Sequence, residues 1–201
     1  MGPFNEKALL KAIKGVPWKA QLAFALSCAE RLYPNYLAFV KQQSWGEPSV
    51  LRAALDLGWS VLEGHASDLS DLKSLGDAVQ RAEPETEDFD TILVSSALDA
   101  AASAGLVLQF LKDRNARVVV EIATLCRDTV DMFVQDVEGL TPSQPNFEEK
   151  ILKHDLMQRE LQRQHADLEE LRNFTGTAEE TARLKAKWRD SSSGSIDQTT
   201  E

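Results

Sequence analysis

Apolar residues recur three and four positions apart along most of this chain, and no run alternates apolar and polar over a strand's length between turn signals. The pattern predicts an all-α, multi-helix bundle. Asn5 caps a first short helix that ends at Gly15, and Pro17 opens a second with Leu22, Leu26, Ala29 and Tyr33 on one face. Pro34 is expected to start a third, with Tyr36, Phe39 and Val40 inward and Gly46 ending it. Pro48 opens a fourth through Glu63, carrying Leu51, Leu55, Trp59 and Leu62. A fifth takes Ser67 or Asp68 as its cap and Leu69, Leu72, Leu75 and Val79 as its stripe, and Pro84 closes it.

After an acidic loop from Glu85 to Asp88, a long helix is predicted near residues 90–112. It is apolar or small on nearly all sides, so its neighbours must bury it. Ala97, Ala101 and Gly105 repeat every four residues along it, which admits close approach of another helix. Asn115 caps the next helix, with Val119, Ile122, Cys126, Val130, Phe133 and Val137 inward through Glu138. Thr141 to Asn146 reads as a linker, and Asn146-Phe147-Glu148-Glu149 as a capping box opening a helix to Asn173. A last short helix begins near Thr177. The organisation expected is a helical core over residues 1–140, a long C-terminal helical arm of the same domain over 146–189, and a disordered tail over 190–201 rich in Ser and Thr.

Composition narrows the function classes. The 201 residues are 43% hydrophobic and 27% charged, a globular balance. The formal net charge of −10 and a pI near 4.9 disfavour binding to a phosphate backbone, so no nucleic-acid partner is expected. Residues 91–111 are apolar enough to resemble a membrane span, but Asp99 near their middle would cost about 2.5–3.5 kcal/mol at a bilayer centre. A soluble bundle with no membrane association is expected. Met1 to Gly15 hold no apolar signal region, and Cys28 and Cys126 lie far apart in apolar runs. Two buried thiols in a reducing cytoplasm follow, rather than a disulfide framework.

The usual nucleotide, hydrolase and metalloprotease signatures are missing, and so is any Glu-x-x-His repeat of a di-iron bundle. His154 and His165 stand eleven residues apart, roughly 16 Å along a helix, too far to share one ion. No metal or cofactor is therefore expected. Asp99 is different: its helix offers it no polar face, so a buried carboxylate there must be paired, hydrogen-bonded or protonated. Glu30-Arg31-Leu32-Tyr33-Pro34-Asn35-Tyr36 sits at a helix junction. Arg31 shares a face with Phe24 and Cys28, and is expected to grip Asp56, Asp90 or Asp99 through its guanidinium fork.

The string Glu30-Arg31-x-Tyr33-Pro34-Asn35-Tyr36-x-x-Phe39 resembles the bacterial YjaG-like domain-of-unknown-function family. So do Gly46, Leu55-Asp56-x-x-Trp59, Asp88-Phe89-Asp90 and Ala97-x-Asp99-Ala100, in the same order between Trp18 and Ala100. Members of that family finish in a short apolar Ser-Asn-Ile-Gly type of end, and this chain finishes in Ser/Thr-rich residues. The resemblance implies an all-α cytoplasmic protein and carries no established activity.

Two function classes stand open on these observations. The first is a non-catalytic interaction or structural protein that self-associates. The second is a small-molecule binder or enzyme, its polar site built from Glu30, Arg31, Tyr33, Asn35, Tyr36, Asp56, Trp59, Asp90 and Asp99. An open pocket at those residues would favour the second, and a closed polar knot the first. Two partner surfaces are expected. Phe147, Met157, Leu161 and Leu168 form one apolar strip on the arm, and Leu152, Leu156 and Phe174 another, so a two-fold dimer is predicted unless the arm folds back over both. His154 and His165 border the first strip and would weaken association as they charge. Between Glu63 and Asp90 nine acids face only Lys73 and Arg81, and this band suits a basic protein partner.

Overall fold

In the computed structural model, residues 5–66, 68–189 and 194–196 are described, Leu69 by its backbone alone. Ser67, the side chain of Leu69, and tail residues 190–193 and 197–201 lie outside that description. The helices are α1 (Glu6–Lys14), α2 (Trp18–Gln43), α3 (Pro48–Leu62), α4 (Leu69–Arg81), α5 (Leu93–Asp113), α6 (Ala116–Glu138), α7 (Phe147–Lys153), α8 (Asp155–Leu171) and α9 (Ala178–Arg189). A 3-10 turn, Thr86–Asp88, precedes α5, and no strand occurs among the described residues. Asn5, Asp68 and Asn115 each accept a hydrogen bond from the backbone N–H that begins their helix, as predicted for caps.

Three boundaries differ from expectation. The predicted second and third helices are one, because Pro34 lies inside α2. A proline removes one rung of the ladder and favours a break. Here residues on both sides of it, Leu22 to Leu32 before and Asn35, Tyr36 and Phe39 after, are buried by several neighbours, and packing outweighs the local preference. Secondly, Ser44 in a left-handed conformation ends α2, ahead of Gly46. Thirdly, the arm helix is broken at His154, whose extended backbone and ring Nδ1 cap α8 by accepting from the Leu156 N–H at 3.2 Å. Asn146 does not close a capping box, since it is left-handed itself and its side chain caps nothing. Val137, expected inward, is 49% exposed.

The main core packs α2 against α5, with α3, α4 and α6 around them. Ala97, Ala100, Ala101 and Ala104 are buried along α5, so small side chains bring the axes together. Helix α5 is long and apolar enough to cross a membrane by length and composition, and it occupies the middle of this bundle. The arm folds back over the core. Helix α8 lies on α2 and α6, Met157, Leu161 and Phe174 are buried, and Phe147, Leu152, Leu156 and Leu168 pack against the two apolar clusters. Both apolar strips of the arm are thus covered by their own chain. His165 is exposed and His154 serves as a cap, so neither borders an open strip.

The tail is not wholly as its composition implied: Gly194, Ser195 and Ile196 are described and buried. Ile196 sits in a second apolar cluster with Val130, Val134, Ile151, Met157 and Leu161.

Gly58 marks the tightest approach of α3. A Cβ at this position would lie 2.8 Å from Leu26 Cδ2 and 3.2 Å from Val107 Cγ1, both on fully buried side chains. Gly58→Val is therefore expected to lower stability by about 1–3 kcal/mol through overpacking. The check is a lower urea midpoint at unchanged slope; a midpoint that holds or rises contradicts it.

Candidate functional site

Glu30 and Arg31 are neighbours in the sequence and point about 100° apart around α2, so each enters a different ionic cluster. The Arg31 side chain is 7% exposed. Its Nε and Nη2 donate to the two oxygens of Glu160 at 3.2 Å each, and its Nη1 donates to Asp167 Oδ2 at 2.6 Å. Nη2 also lies 3.3 Å from the Cys28 sulfur. Around this fork, Gln164 donates to Glu160 at 2.9 Å and the Trp188 indole N–H donates to Asp167 at 3.1 Å. Burial opposes the guanidinium charge, and the Glu160 carboxylate beside it outweighs that, so the arginine is held protonated even more firmly than usual. The expectation that Arg31 would grip Asp56, Asp90 or Asp99 is corrected. Its acids come from α8, the helix that folding brings over α2.

Glu30 builds the second cluster. Its Oε1 accepts from the Trp59 indole at 2.8 Å and from Arg52 Nη2 at 2.5 Å, while its Oε2 accepts from Arg52 Nη1 at 2.8 Å. The Arg52 guanidinium lies 5.1 Å from the Tyr33 ring centre, a cation–π distance. Asp56 Oδ1 stands 3.2 Å from both Arg52 Nε and Arg189 Nη1, each off the hydrogen-bonding line, and its Oδ2 accepts from Arg189 Nη2 at 3.5 Å. Tyr33 donates to the Pro48 carbonyl at 3.2 Å, and burial raises its phenol pKa. The Leu55-Asp56-x-x-Trp59 step of α3 thus sets Trp59 against Glu30 and, one turn away, Asp56 against Arg52, and Trp188 lies 6.2 Å from Trp59, ring centre to ring centre.

The remaining predicted residues go elsewhere. Asn35 donates to the Ser195 hydroxyl at 2.7 Å. Tyr36 donates to the Ala82 carbonyl at 2.7 Å and accepts from the Glu47 N–H at 3.1 Å, which anchors the turn after α2. Gly46 is needed in that turn: its φ is +113°, and a Cβ would meet the Tyr36 hydroxyl at 2.8 Å. Asp90 is exposed. Asp99 accepts from the Thr129 hydroxyl at 2.6 Å, and burial pushes its pKa up to about 6. The nine residues therefore do not form one site. Glu30, Tyr33, Asp56 and Trp59 gather around Arg52, and Arg31, Asn35, Tyr36, Asp90 and Asp99 are dispersed.

Sequence reasoning missed Arg52, Glu160, Gln164 and Asp167. The last three had a signal. They recur at four- and three-residue spacing in the centre of the stripe flanked by Met157, Leu161 and Leu168, where polar side chains require partners. Three surface clefts, of about 530, 490 and 180 Å³, lie between α4 and α5, between α1 and α6, and beneath α6, α7 and α8, and none is lined by the nine residues. Among the described residues no three His, Cys, Asp or Glu converge as metal ligands. Cys126 donates to the Cys28 carbonyl at 3.3 Å; both thiols are free, and burial raises the Cys126 pKa well above the usual thiol range.

Truncating Arg31 to alanine would strand Glu160 and Asp167 in the interior. The expected loss is about 3–5 kcal/mol, measured by urea unfolding, and an unchanged midpoint contradicts the arrangement. Asp99 acts in the opposite sense. Its pKa rises from 3.8 when unfolded to about 6 when folded, so its cost vanishes well below pH 3.8, is small at pH 4 and reaches its full value above pH 6. Asp99→Asn is expected to stabilise the protein at pH 7.5, by on the order of 3 kcal/mol at most, and to change little at pH 4. Paired melting curves at the two pH values decide it, and an equal shift at both contradicts the burial argument.

The family model described as "Protein of unknown function (DUF416)" matches residues 8–196. The chain is 30% identical over 133 residues to the "Uncharacterized protein YjaG" of Escherichia coli strain K12, covering 66% of this chain and 67% of that protein. It is 29% identical over 123 residues to the protein of the same name in Salmonella typhimurium, covering 61% and 62%. A crystal structure of a DUF416 family protein from Shewanella baltica OS155 superposes with a TM-score of 0.84 at 23% identity, over 93% of this chain and 96% of that one, and shares its fold. A family match that spans almost the whole helical bundle, both ionic clusters and the docked tail places this chain in the DUF416 family.

Proposed function

We propose that this chain is a non-catalytic cytoplasmic interaction protein. The observation that carries this reading is the closure of the polar cluster: the Glu30 and Arg31 side chains are held by protein groups, and the three clefts described above are lined by other residues. A catalytic or ligand-binding group needs an approach for substrate, and the contacts of Glu30 and Arg31 are instead taken up by other side chains of the protein. Two adjacent buried thiols, both free, fit a reducing compartment.

The contact surface we favour is the edge beside the turn after α2. Trp45 is 36% exposed and its ring centre lies 5.2 Å from that of Phe89; Phe39 packs beneath both. Ile92, 52% exposed, follows in the same segment, and Thr91 ties it to Gln42 of α2 at 2.7 Å. Glu85, Glu87, Asp88 and Asp90 ring this edge and are exposed. Elsewhere the acidic band is partly used internally, since Glu63 pairs with Lys185 and Asp77 with Lys73. An aromatic anchor rimmed by acids suits a basic segment with an apolar side chain. A second copy on a two-fold axis would set these acids against themselves, so a basic partner is the better occupant than a homodimer through this edge.

A lysine- and leucine-rich amphipathic peptide is the probe. Binding is expected to weaken steeply between 50 and 300 mM salt, and Trp45→Ala is expected to weaken it by about 30-fold or more, the scale of an interface hot spot. Binding indifferent to salt and to Trp45→Ala overturns the surface assignment. Light scattering on the same samples reads self-association, and a dimer that Trp45→Ala dissolves would replace the basic partner with a second copy.

A further inference from the structure

The described residues of the tail rest in a seat built by α2 and α8. Pro34 has no N–H to give the turn before it, and a proline inside a helix opens that turn. The Arg31 carbonyl, in that turn, accepts the Ser195 N–H at 2.9 Å. Asn35, fully buried, donates from Nδ2 to the Ser195 hydroxyl at 2.7 Å. From the facing helix, Arg163 donates to the Gly194 carbonyl at 3.0 Å and Arg159 donates to the Ser195 carbonyl at 3.3 Å. The aliphatic side chain of Ile196 enters the cluster of Val130, Val134, Ile151, Met157 and Leu161.

These contacts divide by chemistry. Three of them hold main-chain groups, which any peptide possesses. The rest select. At position 194 the seat favours glycine, since a Cβ would stand 3.1 Å from Asn35 Oδ1 and push it aside by a few tenths of an ångström, with Pro34 Cβ 3.4 Å away. At 195 it takes a small hydroxyl residue, and at 196 an aliphatic one. We propose that the surface around Pro34 is a peptide-recognition site for an extended Gly-Ser-aliphatic segment, occupied in cis by the chain's own residues 194–196. Main-chain hydrogen bonds supply the hold and alternating small and apolar subsites supply the specificity, as in other sites that bind extended peptides.

The experiment uses the full chain with its own ligand disabled. Ile196→Asp puts a charge into the aliphatic subsite and is expected to release the tail. A fluorescent synthetic peptide with the sequence of residues 190–201 is then titrated, with anisotropy as the readout. The Ile196→Asp protein is expected to bind this peptide at least tenfold more tightly than the unaltered protein, whose seat is filled. A peptide carrying Ser195→Pro, which lacks the N–H that reaches Arg31, is expected to lose binding. Equal binding by the two proteins, or binding by neither, overturns the proposal. Should Ile196→Asp lose its helical circular dichroism, Gly194→Leu takes its place. Amide exchange at Ser195 in the unaltered protein gives an independent reading: strong protection agrees with the seat, and exchange at the rate of an unstructured peptide overturns it.

Discussion

A single arginine with two carboxylates decides how this chain is put together. Arg31 lies in the middle of α2, the helix at the centre of the core, and its charge cannot remain unpaired there. The groups that satisfy it, Glu160 and Asp167, stand 129 and 136 residues further along, on α8. The arm therefore completes the core: a bundle ending at α6 would leave Arg31 without its carboxylates, and an arm without the core would have no surface to bury Glu160 and Asp167 against. The trio carries one negative charge in excess. Neighbouring donors, the Gln164 amide and the Trp188 indole, absorb it, and Lys187 stands 3.7 Å from Asp167. Trp188 extends the effect to α9, because its ring also packs beside Trp59, which holds Glu30.

That dependence explains which parts of the structure were legible in the sequence. Helix existence was legible because periodicity and caps are local, and Asn5, Asp68 and Asn115 cap as their residue types suggest. The continuity through Pro34 and the break at His154 were not, because tertiary packing overrode the proline and an imidazole stood in for the usual cap at the histidine. Arg31 was legible as a buried cation, and its partners were not. No short-range spacing in the sequence says which of several acids will arrive opposite it, and the acids nearest in the chain were the wrong ones. The polar line Glu160, Gln164 and Asp167 in the centre of an apolar stripe was the one visible clue.

The tail shows the same limit from the other side. Averaged over eleven residues, Ser, Thr and Gly argue for disorder. Docking needs only three residues when the receiving surface is already made, and composition over a window cannot see them. Gly194, Ser195 and Ile196 meet a seat whose pieces come from α2, α6, α7 and α8, so the signal for their order is written in those helices.

A closed ionic core also constrains where function can lie. Catalysis by electrostatic preorganisation requires donors aimed at a position that substrate fills. At Arg31 and Glu30 those positions are filled by the protein's own side chains, and each bond that holds them contributes to the fold. Freeing one to meet a ligand would leave its partner buried and unpaired, at a cost of several kcal/mol. The two recognition sites proposed above leave both clusters intact: the aromatic edge of Trp45 and Phe89 beside its acids, and the seat at Pro34. Both lie at places where α2 departs from an ideal helix, one at its C-terminal turn and one at its internal proline. In this architecture the centre of α2 carries both ionic clusters, and the two surfaces proposed for partners use its irregular points.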